Sequence, residues 1–352
     1  MFTDHTYTLS DNIQIFFTDS GPPPGSKDYS TLVVLHGCGF NGYGLEKLHG
    51  LAHQFNLRTV LWNRRDYPGS TPYTESELEE LEQGQKIFID RTGRQLGEFL
   101  VQFIEVEKIP KATDDFKAGG IAIMGWSAGA ASAMMLFSDA DVVPSATYSI
   151  LEQYVKDLVL LEPPHACFGY ELPQGLNYYY PWSDPTLKTP QQQLQQFRVW
   201  ISSLYDHPDP DSGNPHHLDI MTRGSTDATV TKWSKEEIER YYTEKAAERS
   251  EMRLFMEPMQ QTLREMTERV FYDNNLIESY FPRLKVTITY GTRTTWHCLW
   301  VPKEIQRIHD ERVASGAKAR PMKSYKMSGA NHFVHWEHPY LLLKTTTEGM
   351  RR

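Results

Sequence analysis

Cysteine is scarce in this chain of 352 residues: Cys38, Cys167 and Cys298 are the only three. An odd number without CxxC or metal-ligand spacing excludes a disulfide framework and fits a reducing compartment. All three thiols are read as packing residues, with Cys38 placed to line a site. Long apolar runs are missing too, since nothing approaches the ~18 residues of a membrane span. The opening MFTDHTYTLSDNIQ has neither the positive n-region nor the apolar h-region of a secretory signal, so the expected location is cytoplasmic. Clustered positive charge is the third absence. The net charge is -9, and no Lys/Arg cluster before the C-terminus exceeds Arg64-Arg65, which argues against nucleic acid or an anionic membrane as partner. Internal repeats and low-complexity tracts are absent as well. What remains is 39 % hydrophobic content, enough for a full core in one large α/β domain carrying an insertion, or in two domains.

The stretch GGIAIMGWSAGAASAMM, Gly119 to Met135, organises the rest. Ile121 to Met124 reads as a buried strand and Ala128 to Ala133 as the start of a helix, which leaves Ser127 on the turn between them. Gly125 and Gly129 flank the serine at the positions where a side chain would collide with the neighbouring strand or helix. This is the GxSxG nucleophile elbow, with Ser127 as the candidate nucleophile.

Before the elbow, Tyr7 to Ser20 alternates around Ser10-Asp11-Asn12 and predicts a hairpin. Leu32 to Leu35 reads as a buried strand running into the glycine-rich loop His36-Gly37-Cys38-Gly39, where backbone N–H groups can be left unpaired and aimed at a ligand. Arg58 to Leu61 is the next strand. Asp66, between arginines and a Pro-Gly turn, reads as a local ion-pair and turn-capping residue. The run ESELEELE reads as a solvated face, and Gln85 to Val106 as a long amphipathic helix. After the elbow, Leu158 to Leu161 is a fully apolar strand with Glu162 at its C-terminal end.

From Pro163 to about Phe281 the strand signal disappears. Aromatic clusters, proline-rich loops and helical stretches around Gln191 to Tyr205, Lys235 to Ser250 and Pro258 to Tyr272 take its place. Such an insertion predicts a helical cap, 163–281, over the C-terminal edge of a sheet built from 1–162 and 282–352. Strands return at Leu284 to Gly291 and Met322 to Met327, with a helix from Pro302 to about Ala314 between them. SGANHFVHWEHP and a last helix from Tyr340 complete the chain.

With elbow, His-Gly loop and terminal SGANH read, the sequence resembles the α/β-hydrolase fold family over nearly its whole length except the cap. The resemblance implies a mostly parallel sheet flanked by helices, with nucleophile, acid and histidine in that order along the chain. Ser127, Glu162 and His332 stand in that order, whereas His335 and His338 read as packing or surface residues. The acid departs from the family's commonest pattern. The usual position after Val286 to Tyr290 reads GTRTTWHCLW, with Thr294 and Thr295 and no carboxylate before Glu304, so Glu162 takes the place a minority of the family uses. The resemblance further implies oxyanion donors on the backbone of Ala128 and Cys38, with Gly39 and Trp126 as expected substrate contacts. The expected chemistry is hydrolysis of a moderately large hydrophobic ester or lactone through an acyl-serine, with no metal or organic cofactor. Acyl transfer, carbon–carbon hydrolysis or a lyase step with the same residues stays open, as does a non-catalytic ligand-binding protein on the same fold.

Overall fold

The computed structural model describes residues 2–351. Its centre is a sheet of eight strands in the order β1-β2-β4-β3-β5-β6-β7-β8. These are β1 (Thr3–Thr8), β2 (Gln14–Asp19), β3 (Ser30–Leu35), β4 (Leu57–Trp62), β5 (Ile121–Trp126), β6 (Val155–Leu161), β7 (Lys285–Gly291) and β8 (Met322–Met327). β2 pairs antiparallel with both β1 and β4, and every other pairing is parallel. The four inner strands β3, β4, β5 and β6 are buried at every position, as strands covered by helices on both faces must be. Both edges are polar. β1 exposes Thr3, Asp4 and Thr6, and β8 exposes Lys323 and Lys326, residue types that blunt pairing with another sheet.

The expected hairpin forms, with Asp11 and Asn12 at φ 58° in its turn. The long helix runs Lys86–Glu107 and buries Phe88, Leu96, Phe99, Leu100 and Phe103 on one stripe. Gly93 lets it approach closely, because a Cβ there would lie 2.4 Å from the carbonyl oxygen of Met135, just beyond the elbow helix Gly129–Met134. That close approach sets the turn at Ser127 and its following helix tightly against the long helix.

Three expectations change. The helix after β7 spans Trp296–Ala314 with Pro302 in its interior. A proline there removes one helical hydrogen bond, but Trp296, Leu299, Trp300 and Val301 all bury against the core and hold the preceding turn helical. The helix expected over Lys235 to Ser250 breaks after Tyr241, where Tyr242 pairs with Phe40 in an isolated β-bridge. It resumes at Glu244 and contains a π-turn, Ala247–Glu251. The acidic run forms the helix Glu75–Glu82, which is more than a solvated face: it buries Leu78 and Leu81. Its carboxylates pair with core and inserted segment alike, Glu77 with Arg65, Glu75 with Arg249 and Glu82 with Arg253.

Between β6 and β7 no described residue belongs to a strand. The inserted segment divides by what it packs on. The helix Met259–Tyr272 buries Leu263, Met266, Val270 and Phe271 in the same cluster as the helices flanking the sheet. Pro190–Ile201 and Lys235–Tyr241 instead pack with Trp126, Phe40 and Phe333 above the strand ends. Segment 163–281 thus contributes to both buried clusters. Its C-terminal stretch serves as an ordinary flanking helix because its apolar stripe matches the sheet-side layer. Among the described residues no helix is long and apolar enough to cross a membrane.

Candidate active site

Two non-glycine residues hold left-handed backbone conformations at adjacent strand ends: Ser127 after β5 and Glu162 after β6, each at φ 53°. Such conformations cost on the order of 1–3 kcal/mol each and persist only where the surroundings over-determine them. At Ser127 the determinants are plain. Its N–H donates to the carbonyl of Leu161 at 2.8 Å, and its own carbonyl accepts from Ala130 at 2.9 Å. A Cβ on Gly125 would lie 2.3 Å from the Gly129 carbonyl oxygen, and one on Gly129 2.3 Å from that of Leu35. Both glycines are required where the sequence placed them. Beneath the turn, the Cys167 thiol donates to the Ser127 carbonyl at 3.3 Å.

Glu162 is fully buried. One carboxylate oxygen accepts from the backbone N–H of Gly291, at the end of β7. The other accepts from the Thr294 hydroxyl and lies 3.2 Å from Nδ1 of His332. Thr294 thus stands in the usual acid's position and serves Glu162 as a donor. A Cβ on Gly291 would lie 2.2 Å from the Ala330 carbonyl oxygen and 3.1 Å from Glu162, so that glycine makes room for carboxylate and histidine loop together.

The loop carrying His332 is tied down on three sides. Trp126 Nε1 donates to the His332 carbonyl at 3.0 Å, Arg293 N–H to the Ala330 carbonyl at 2.9 Å, and the Asn331 amide to the Ser202 carbonyl and Thr229 hydroxyl. His332 Nε2 is buried and has no hydrogen-bond partner among the described residues, so no hydrogen bond joins it to Ser127. His335 is a packing residue, its ring 4.1 Å from that of Trp126.

The His-Gly loop is held from both sides. Arg64 donates to the carbonyls of His36 and Gly37, and Tyr67 accepts the Gly39 N–H at 2.8 Å. From the inserted segment, Thr243 N–H donates to the Gly39 carbonyl and the Tyr241 carbonyl accepts the Asn41 N–H. His36 is buried and kept neutral, its pKa well below the usual range through burial and the charge of Arg64. Among the described residues no acceptor takes the N–H of Cys38 or Ala128.

Ser127, Ala128 and Cys38 line one end of a cavity of ≈ 500 Å³, open solvent at its mouth included. Its other walls are mainly aromatic and apolar: Tyr180, Trp182, Phe197, Trp200, Met252 and Phe255. Gly39 and Trp126, expected as substrate contacts, do not line it. Gly39 is spent on packing, since at φ 77° a Cβ would lie 2.4 Å from the Tyr242 ring. Trp126 is 1 % exposed and acts on the histidine loop through its indole N–H. Asp66 does cap its turn, accepting from Tyr73 N–H, but its ion-pair partner is the distant Arg249 rather than a flanking arginine.

Glu162, Cys298 and His332 bring ligand-type atoms within 4.8 Å of one another. The donor set is poor for a metal. The carboxylate and Nδ1 already engage each other, and burial, followed by the charge of Glu162, pushes the Cys298 thiol well above its usual range, whereas metal binding needs the thiolate.

Sequence reading missed Thr294 as a donor, Gly291 as the making of the carboxylate's niche, and Arg64. The first had a signal, a hydroxyl residue where an acid is usual. The others depend on contacts made by residues far apart in the chain.

No family model matches the sequence, and no curated protein matches it. Solved structures do. A bromoperoxidase from Bacillus anthracis superposes with TM-score 0.54 at 12% identity, covering 99% of this chain and 100% of that one. An epoxide hydrolase from Vigna radiata gives 0.54 at 10%, covering 99% and 98%. A laboratory-evolved variant of a potato epoxide hydrolase gives 0.52 at 12%, covering 99% and 98%. Together with the strand order, these similarities show that the chain has the α/β-hydrolase fold.

Proposed function

We propose that the protein is a serine hydrolase acting on a carboxylic ester or lactone of a moderately large hydrophobic molecule. The observations that carry this reading are the wiring of His332, with Nδ1 on a buried carboxylate and Nε2 buried and unpartnered among the described residues, the tie of its loop to Trp126, the residue before Ser127, and the strained Ser127 on the wall of an apolar cavity. A carboxylate on Nδ1 fixes the tautomer in which Nε2 is the free base, and it favours the imidazolium that forms when Nε2 takes a proton.

Ser127 Oγ attacks the substrate carbonyl as His332 Nε2 takes its proton. Catalytic hydrogen bonds of this kind tighten in the substrate complex, which is where this reading requires the Ser127–His332 bond. The oxyanion is met by the N–H groups of Ala128 and Cys38, each worth about 3 kcal/mol of transition-state stabilisation. His332 returns the proton to the leaving alcohol, and water, activated by the same nitrogen, releases the acid from the acyl-serine. Structural neighbours include epoxide hydrolases. Epoxide opening on this fold calls for a carboxylate nucleophile, and the hydroxyl of Ser127 favours esters instead.

The test is labelling with a fluorophosphonate. Wild type should be labelled and Ser127→Ala should not. Absence of labelling in the folded wild type would favour a ligand-binding protein.

A further inference from the structure

Two histidines on the cavity wall have no part in the chemistry above. His165 lies three residues beyond Glu162, at the start of the inserted segment, and His297 lies in the first turn of the helix Trp296–Ala314. Both line the cavity that holds Ser127. Their rings meet edge to face at 5.8 Å, and His297 stacks on Trp200 at 5.1 Å. Among the described residues, His165 Nδ1 is buried without a hydrogen-bond partner, and the side-chain hydrogen bond of His297 is a long 3.5 Å approach between Nε2 and the Thr295 hydroxyl.

Buried polar groups are ordinarily paired, and an unpaired one asks for an explanation. Packing would be served as well by phenylalanine on a wall that is mainly aromatic and aliphatic. Burial lowers the pKa of His165 to about 4; burial, then the neighbouring rings of His165 and His332, takes that of His297 well below its usual range. Each is a neutral imidazole with one donor and one acceptor nitrogen. No lysine, arginine, aspartate or glutamate lines the cavity among the described residues, so an anionic group would meet no counter-charge. An uncharged oxygen that can accept or donate a hydrogen bond fits.

We propose that His165 and His297 form a polar subsite that recognises a hydroxyl or carbonyl oxygen on the hydrophobic body of the substrate, apart from the scissile ester. The substrate class is then an oxygenated, uncharged aromatic or alicyclic ester or lactone. This rests on the serine-hydrolase reading above. The aromatic walls take the skeleton, Ser127 takes the ester, and the two imidazoles select molecules carrying the second oxygen. An analogue lacking it leaves the imidazole nitrogens without that partner on an otherwise apolar wall, the circumstance under which polar pockets discriminate most strongly.

The experiment uses p-nitrophenyl alkanoates of graded length, each paired with its ω-hydroxy and ω-oxo counterpart, and a mirrored set carrying the oxygen on the alcohol side. At one chain length the oxygenated ester should exceed its plain partner in kcat/KM by about 10- to 100-fold. His165→Phe and His297→Phe should each bring that ratio toward one, and His165→Asn, which keeps a donor and an acceptor, should retain part of it. A wild type that is labelled by fluorophosphonate yet prefers the plain ester at every length would overturn the subsite and leave the hydrolase reading intact. If wild type is neither labelled nor active, calorimetric binding of the same pairs to the full chain decides. Equal affinities would overturn the subsite, and tighter binding of the oxygenated member would keep it while the hydrolase reading falls. Should a phenylalanine variant fail to fold, the wild-type preference for or against the oxygenated ester still decides.

Discussion

Replacing Glu162 by glutamine tests the arrangement where the structure is most specific. The carboxylate accepts three hydrogen bonds at two oxygens, from Gly291 N–H on one side and from the Thr294 hydroxyl and His332 Nδ1 on the other. Glutamine offers one acceptor oxygen and one donor NH2. With its oxygen toward Gly291, the NH2 faces Nδ1, which must then accept. The proton moves to Nε2, and the nitrogen needed as base is blocked. With the amide turned round, the tautomer is correct but the NH2 opposes the Gly291 N–H in a fully buried niche, leaving donors unsatisfied at about 1–3 kcal/mol. Neither orientation supplies the negative charge that stabilises imidazolium. The expected loss in kcat is about 10³- to 10⁴-fold, or about 4–5.5 kcal/mol in activation free energy. KM should change little because Glu162 does not line the cavity. The assay is steady-state hydrolysis of a p-nitrophenyl ester by Glu162→Gln, with circular dichroism to confirm the fold and labelling kinetics as a second readout. Turnover within tenfold of wild type in a folded variant would refute the role given to this carboxylate.

Gly291→Ala places a Cβ against the Ala330 carbonyl and beside Glu162. Thermal melting should report destabilisation of about 1–3 kcal/mol, and kcat should fall at least tenfold as carboxylate and histidine loop are pushed apart. The buried pair Arg64–Glu251 joins the His-Gly loop to the inserted segment, and burial lifts the Glu251 carboxyl to about 7 against the pull of Arg64. On Arg64 the balance is reversed. Burial opposes its charge, yet Glu251 leaves its pKa raised, so Glu251 is the group that titrates near neutrality. A carboxyl held above its unfolded value of about 4.5 gives the folded state extra protons between pH 4.5 and 7. Its contribution is therefore fullest at the acid end and declines as pH rises, by about 1–3 kcal/mol in all. Denaturant titrations of wild type and Glu251→Gln from pH 5 to 8 should show the wild type's relative stability falling with pH, and a difference that rises instead would contradict the assignment.

Local pattern was enough to determine much of this protein. A four-residue apolar run, two glycines and a small-residue helix start point to a tight turn at Ser127, and the structure has φ 53° there. The resemblance to the α/β-hydrolase fold, with its order of nucleophile, acid and histidine, paired Glu162 with His332, and the structure brings the two to 3.2 Å. What sequence could not decide is how distant segments share a contact. Gly39 follows one candidate oxyanion donor and Trp126 precedes the serine beside the other, yet Tyr242 and Tyr67 claim the first and the His332 loop claims the second, partners that lie between 28 and 206 residues away. The helix Met259–Tyr272 shows the same limit, since periodicity announces an apolar stripe but not the layer that will cover it. A strained turn at one residue leaves a local pattern that can be read, whereas which surfaces and which hydrogen-bond partners meet depends on the packing of the whole chain.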